Sequence, residues 1–162
     1  MISLGDRVEA IERERLLREG LELEGAMRLT HLLPEAGALL RPGALRILLS
    51  DFHFPHDAGS LVRALRPGPG GGLLVQVLSK DDAEPEPGRA LRLVDAETDE
   101  ALDLVVDEGL AERYRERTLR LRAALEDACV VNGASFLSLP VGEDIDGVCR
   151  ASLARRGVLA VV

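Results

Sequence analysis

Short, continuous runs of apolar residues recur along the chain, separated by segments in which apolar residues keep helical spacing. Three such runs lie at residues 44–49, 73–78 and 135–141. Apolar runs without alternation are typical of strands covered on both faces of a parallel sheet. We therefore predict three buried strands, with the first covered on both faces and the rest of the chain arranged around it.

The segments between these runs predict helices. Residues 26–40 keep helical spacing, and Asp57 is placed to cap a short helix after the first strand. Asp107 is placed to cap a helix of roughly two dozen residues, ended by Asn132 and the glycine after it. A last helix is predicted over residues 143–154. In the short and last helices, the residues expected to face inward are Leu61, Val62, Leu65, Ile145, Val148, Cys149 and Ser152 or Leu153.

Two alternating runs, at residues 90–94 and 101–106, predict a β-hairpin. The preceding residues 81–88 predict a polar loop. Strands that alternate with helices indicate an α/β fold with a mostly parallel sheet. A length of 162 residues is enough for one domain, so we predict a single domain over residues 1–162 with one inserted hairpin.

Residues 1–24 allow two interpretations. The apolar residues among Glu and Arg fit a charged amphipathic helix, and they fit equally a hairpin that pairs residues 7–12 with residues 18–23. The hairpin is favoured, because Leu21 and Leu23 alternate with glutamates as a half-buried strand requires.

Composition and charge argue against several classes of function. The net charge of −8 argues against non-specific nucleic-acid binding, which needs clustered cations over phosphates. The chain has no signal-peptide pattern and no apolar run near the ~18 to 20 residues that span a bilayer, so we expect a cytoplasmic protein without membrane insertion. Cys129 and Cys149 lack metal-ligand spacing and are expected to be small buried hydrophobic residues.

Candidate chemistry lies just beyond the first predicted strand. Asp51, His53, His56 and Asp57 fall within seven residues, at the carboxyl end of a strand, where ligands bind in open α/β sheets. Two carboxylates and two imidazoles are enough donors for a divalent cation. In the alternative, Asp51 hydrogen-bonds nearby backbone and both histidines are solvated. Ser50 beside Asp51 is not expected to form a catalytic triad, because adjacent strand residues point to opposite faces.

One resemblance concerns this strand end alone. Residues 46–53 resemble the first motif of the calcineurin-like phosphoesterases, a buried strand that ends in Asp-x-His. That family also needs a second Asp motif, an Asn-His pair and further histidines around two metals about 3.5 to 4 Å apart. After His53 this chain has only His56, and Gly follows its sole asparagine, Asn132. The chain therefore cannot supply that family's ligands, and a small metal-dependent, phosphoesterase-like hydrolase that uses Asp51, His53 and His56 is kept only as the alternative function.

A second resemblance extends from about Gly5 to Arg155. The pieces that carry it are residues 5–8, 47–52, 75–78, 81–84 and 92–100, followed by the long Arg-rich helix, the last strand and the last helix. In this order they resemble the C-terminal part of the von Willebrand factor A-like domain of the bacterial domain-of-unknown-function family 58. The resemblance implies a shortened Rossmann-like fold that lacks its first strand. That strand is dispensable, supplied by another chain, or missing from a truncated copy.

The resemblance also implies a degenerate metal-ion-dependent adhesion site. In A-type domains this site combines an Asp-x-Ser-x-Ser loop, a Thr loop and an Asp after the fourth strand, and Asp51 matches that last Asp. The Asp-x-Ser-x-Ser loop would lie before Gly5, and Ala26 and Met27 stand where the Thr would fall. Asp51 is thus a tentative ligand for a divalent cation such as Mg²⁺.

These observations together predict a non-catalytic protein-interaction module. The sequence offers no nucleophile–base pair, no second carboxylate placed for acid/base work and no cofactor loop. Members of the resembled family are typically encoded beside MoxR-type AAA+ ATPases, so the resemblance implies such an ATPase as the partner. Asp51 is expected to be the remnant of the adhesion site. His53, His56 and Asp57 are expected to lie beside it, at the carboxyl end of the strand, and to form the surface that binds the partner. The sequence leaves the oligomeric state open.

Overall fold

The computed structural model describes residues 2–4, 8–19, 29–65, 68–94, 100–142 and 144–154. In chain order the elements are β1 (Ile2–Leu4), β2 (Val8–Ala10), α1 (Arg13–Glu19), α2 (Leu29–Leu39), β3 (Arg46–Ser50), α3 (Ala58–Leu65), β4 (Gly72–Leu78), α4 (Lys80–Ala83), β5 (Ala90–Val94), β6 (Ala101–Val105), α5 (Glu108–Val131), β7 (Ala134–Pro140) and α6 (Ile145–Val148), which continues into a π-helical turn (Cys149–Leu153).

The main sheet has three parallel strands in the order β3-β4-β7. Ser50, Gln76 and Ser138 lie side by side across it, near the carboxyl ends of the strands. Helices flank the sheet, and β5 and β6 form a separate antiparallel hairpin. The prediction of an α/β, mostly parallel, Rossmann-like sheet with an inserted hairpin is confirmed.

Hydrophobic clusters lie on the two faces of this sheet. One cluster joins Leu48, Leu74 and Phe136, on the three strands, to α2, α3 and α5. On the opposite face, a smaller cluster contains Leu73, Val75, Leu137 and Leu153. Side chains alternate between the faces of a strand, so consecutive residues of β4 enter both clusters. The strand β4 is consequently the covered centre of the fold.

The prediction that the first apolar run is covered on both faces is wrong. Among the described strands β3 is at the edge of the sheet, and Ile47 and Leu49 keep 51% and 61% of their surface exposed. Within β3, Leu48 alone is buried. A short apolar run predicts that a strand forms, but it does not predict which strand is central. The residues that cover the faces of a strand are distant from it in sequence.

The predicted helix boundaries agree well where a capping residue defines them. The Asp57 carboxylate accepts the backbone N–H of Ser60 at 2.8 Å, and Leu61, Val62 and Leu65 are buried as predicted. The Asp107 carboxylate accepts the N–H of Leu110 at 2.6 Å and begins the 24-residue helix α5. That helix ends at Asn132, and Gly133 follows with a φ of +67°.

Other predicted boundaries are corrected. Residues 2–4 pair with residues 8–10, and residues 13–19 form α1. The favoured pairing of residues 7–12 with 18–23 is therefore wrong at residues 18 and 19, which are helical, as the alternative helix predicted for that part of the chain. Residues 5–7 and 20–28 lie outside the described part. Ser79 and Asp82 form a capping box, which turns the start of the predicted 81–88 loop into the short helix α4.

The predicted last helix is also shorter than expected. It begins at Ile145, whose side chain is 64% exposed, although it was predicted to face inward. Val148 is half-buried and Leu153 is buried as predicted. Among the described helices, none combines the length and apolarity that crossing a bilayer requires.

Candidate functional site

The candidate site is the segment that directly follows β3, residues 51–57, which we call the rim loop. The Asp51 carboxylate accepts the backbone N–H of His53 at 3.0 Å, and the Ser50 hydroxyl accepts that of Phe52, also at 3.0 Å. Each of these side chains bonds to the backbone two residues later and so stabilises a local turn. The predicted alternative, in which Asp51 bonds to nearby backbone, is therefore confirmed for this residue.

Phe52 is the residue that attaches the rim loop to the core. Its side chain is fully buried, and its backbone adopts a φ of 60°, the left-handed region that bulky residues rarely occupy. The ring belongs to the cluster of Leu48, Leu61 and Val62. Burial of the ring holds the strained turn in place, and the loop is consequently fixed at its second residue.

A buried glutamine of the central strand also holds the rim loop. Gln76 is fully buried, and its side-chain amide donates to the backbone carbonyl of Asp51 at 3.1 Å. Its Oε1 is buried and has no hydrogen-bond partner among the described residues. The bond spans 25 positions of sequence and ties the start of the rim loop to β4.

The two histidines of the rim loop differ in environment. His53 is exposed, and its ring meets the Tyr114 ring edge-on, with centroids 6.2 Å apart. His56 is half-buried: its Nδ1 lies 2.7 Å from the carbonyl of Phe54, and the two rings are 4.7 Å apart. The Nε2 of His56 is buried with no partner in the described part of the chain. The expectation that both histidines are solvated is thus wrong for His56.

Charged groups gather at this end of the sheet. Hydrogen bonds from the side chain and the backbone of Ser60 hold the pKa of Asp57 below its usual range. Burial raises the pKa of Tyr114, and the negative charges of Asp82 and, more weakly, Asp51 raise it further. Asp51, Asp57 and Asp82 expose carboxylates here, and Arg63 lies 3.8 Å from the carboxylate of Asp57, so the acidic character of this surface depends mainly on Asp51 and Asp82.

The geometry of Ser50 and Asp51 corrects one expectation. Asp51 lies one residue beyond the end of β3, so the two side chains do not point to opposite faces, and Ser50 Oγ lies 3.5 Å from Asp51 Oδ1. The hydroxyl also accepts the N–H of Phe52. The pair acts as a backbone-capping unit in the described loop.

The metal predicted at Asp51 has limited support from the donor set. Hard divalent cations take about six or more oxygen ligands, and a carboxylate supplies at most two of these. Among the described residues, no group of three or more His, Cys, Asp or Glu side chains is placed to hold a metal ion. Metal binding at Asp51 stays a prediction.

Cys129 has the structural role that its sequence context predicts. The side chain is 1% exposed in the core cluster, and burial raises the pKa of its thiol to about 11. A thiol with that pKa stays protonated at neutral pH and is a poor nucleophile. The side chain of Cys149 lies outside the described part.

Sequence reasoning missed several residues that shape the site. Phe52, Phe54 and Tyr114 are three of the four aromatic residues of the chain, and all contact histidines of the rim loop. Their clustering on either side of His53 was a usable signal for Phe52 and Phe54. Gln76 was also visible as the one polar residue within the apolar run at residues 73–78.

Comparisons with protein-family models, with curated proteins and with solved structures found no match to this chain. The von Willebrand factor A-like resemblance consequently stays a prediction.

Proposed function

We propose that this chain is a non-catalytic protein-interaction module and that the rim loop is its binding surface. The observation that carries the proposal is the way the loop is built. Phe52 and Gln76 fix its backbone from inside, while Asp51 and His53 remain exposed on its outer side. Polar side chains on a preorganised backbone lose little conformational entropy on binding, which favours recognition.

The charge of this surface suggests the chemistry of the partner. Asp51, Asp57 and Asp82 are exposed, and the chain carries a net charge of −8. Complementary charge steers association and suppresses wrong partners. A basic surface on the partner therefore fits the rim loop best, and the resemblance makes a MoxR-type AAA+ ATPase the partner class that we propose.

Binding to a MoxR-type AAA+ ATPase from the same genome tests this proposal. Biolayer interferometry would compare the wild-type chain with the double variant Asp51→Ala, His53→Ala. We expect the double variant to lower the affinity by about tenfold or more, which corresponds to about 1.4 kcal/mol, and to reduce the salt dependence of binding. Both substituted side chains are exposed, and Asp51→Ala also removes the bond to the N–H of His53, so circular dichroism must show that the fold is retained.

The matched control is Asp127→Ala, which removes an exposed carboxylate near the end of α5, before β7 begins and far from the carboxyl ends of the strands. Its affinity should equal that of the wild type. Absence of binding by the wild type, or an equal loss of affinity in the control, would contradict the proposal.

Calorimetry with Mn²⁺, Zn²⁺ and Mg²⁺, together with a phosphatase assay, tests the alternative function of a hydrolase. Metal binding and phosphatase turnover that are both lost in Asp51→Ala would contradict our proposal and support the hydrolase.

A further inference from the structure

The outer edge of β3 is the side that faces away from β4. The strand pairs with no other strand among those described, so this edge is unpaired within the described part of the chain. The N–H of Arg46 points toward β4, where it donates to the carbonyl of Gly71 at 3.2 Å. Because successive residues of a parallel ladder direct their backbone groups to opposite sides, those of Ile47 and Leu49 point to the outer edge.

The side chains of the same two residues extend an apolar face. Ile47 and Leu49 pair in register with Leu73 and Val75 of the central strand, and they share the sheet face of the smaller cluster. Leu73 and Val75 are covered there, whereas Ile47 and Leu49 are 51% and 61% exposed. The apolar face therefore continues past its cover as far as the edge of the sheet.

This edge lacks the devices that usually prevent strand pairing. Natural edge strands carry Lys, Pro or a bulge, and β3 has none of these in its five residues. Its one charged side chain, Arg46, is directed into the molecule, where it donates to the carbonyl of Leu65 at 2.8 Å. The edge is accordingly competent to accept another strand.

The charges at the two ends of β3 select the partner strand and its direction. The exposed side chain of Arg41 lies at the amino end, and the exposed side chains of Asp51 and Asp57 lie at the carboxyl end. A second β3 that ran parallel would bring like charges together. A second β3 that ran antiparallel would bring the basic end of each strand beside the acidic end of the other.

We propose that β3 pairs antiparallel with β3 of a second copy of this chain, joining the two sheets into one. A twofold axis at Leu48 places Ile47 opposite the partner's Leu49, and an isologous interface of this kind closes after two copies. The two rim loops would then lie at opposite ends of the joined sheet. This inference does not depend on the proposed function, because pairing uses the backbone of Ile47 and Leu49 at the side of β3 and does not use His53.

Sedimentation equilibrium of the purified chain over a range of concentrations tests the pairing, together with residue-resolved amide exchange. We expect a dimer in which the amides of Ile47 and Leu49 exchange slowly. Leu49→Lys adds a charge to the paired edge and should lower the association constant by about tenfold or more. The matched control, Leu119→Lys, changes a leucine that is 64% exposed on α5 and should leave association unchanged.

The outcomes are distinct. A dimer that Leu49→Lys weakens and Leu119→Lys does not, with unchanged circular dichroism, supports the proposal. A monomer with protected amides at Ile47 and Leu49 would mean that another segment of this chain covers the edge, and it would overturn the proposal. A monomer with unprotected amides, or a dimer unaffected by Leu49→Lys, would overturn it as well. If Leu49→Lys is monomeric and still binds the ATPase, then binding by the rim loop does not require the dimer.

Discussion

Phe52 combines an unfavourable backbone with favourable burial. A left-handed backbone costs a non-glycine residue about 1–2 kcal/mol. Truncation of a buried phenylalanine costs about 3–5 kcal/mol. The burial contribution is the larger of the two, which is why the turn can hold a phenylalanine at a position where glycine would be unstrained.

Replacement of Phe52 by glycine tests this balance. We expect Phe52→Gly to lower the free energy of unfolding by about 1–4 kcal/mol, because lost burial exceeds the relieved strain. Urea denaturation followed by circular dichroism measures the change. Phe52→Leu, which keeps an apolar side chain, should lose less. A Phe52→Gly variant as stable as the wild type would show that the ring contributes little to holding the rim loop.

At the scale of elements, the local signals in the sequence were reliable. Asp57 and Asp107 predicted the helix starts because a capping interaction involves residues within three positions of each other. The prediction of a loop at residues 81–88 missed α4, because the capping residue of that helix, Ser79, lies two positions before the loop. In residues 1–24, two patterns of similar quality competed, and the strands β1 and β2 that the structure describes there contact α2, which comes later in the chain.

The cap at Asp57 predicts a pH dependence of stability. Its pKa is lowered in the folded state by hydrogen bonds from Ser60, so its contribution is present above the unfolded pKa and is lost as pH falls through the folded pKa. Asp57→Asn keeps a capping side chain and removes the charge. We expect Asp57→Asn to melt at a lower temperature than the wild type at neutral pH.

Acidification separates this explanation from a purely steric one. Below about pH 4, where aspartate becomes protonated, the difference in melting temperature between Asp57→Asn and the wild type should shrink. Thermal melts at a series of pH values measure it. A difference that stays constant down to the lowest pH would show that the charge of Asp57 is not the cause.

At the scale of the whole molecule, the sequence could predict the fold class but not the position of each strand. Apolar runs identified β3, β4 and β7, yet the choice of β4 as the centre depends on pairing between strands distant in sequence. The conformation of the rim loop could not be predicted for the same reason, since the bond from Gln76 to Asp51 joins residues 25 positions apart. Asp51 and His53 were found as candidates because they follow a strand, whereas the residues that fix them came from other elements.

The central claim is that the rim loop binds a protein. Amide hydrogen exchange of the complex with the MoxR-type AAA+ ATPase tests it most directly, because it locates the contact without a mutation. We predict slower exchange at residues 51–57 in the complex and unchanged exchange at the exposed far end of α5. Unchanged exchange at residues 51–57, with protection elsewhere, would contradict the account.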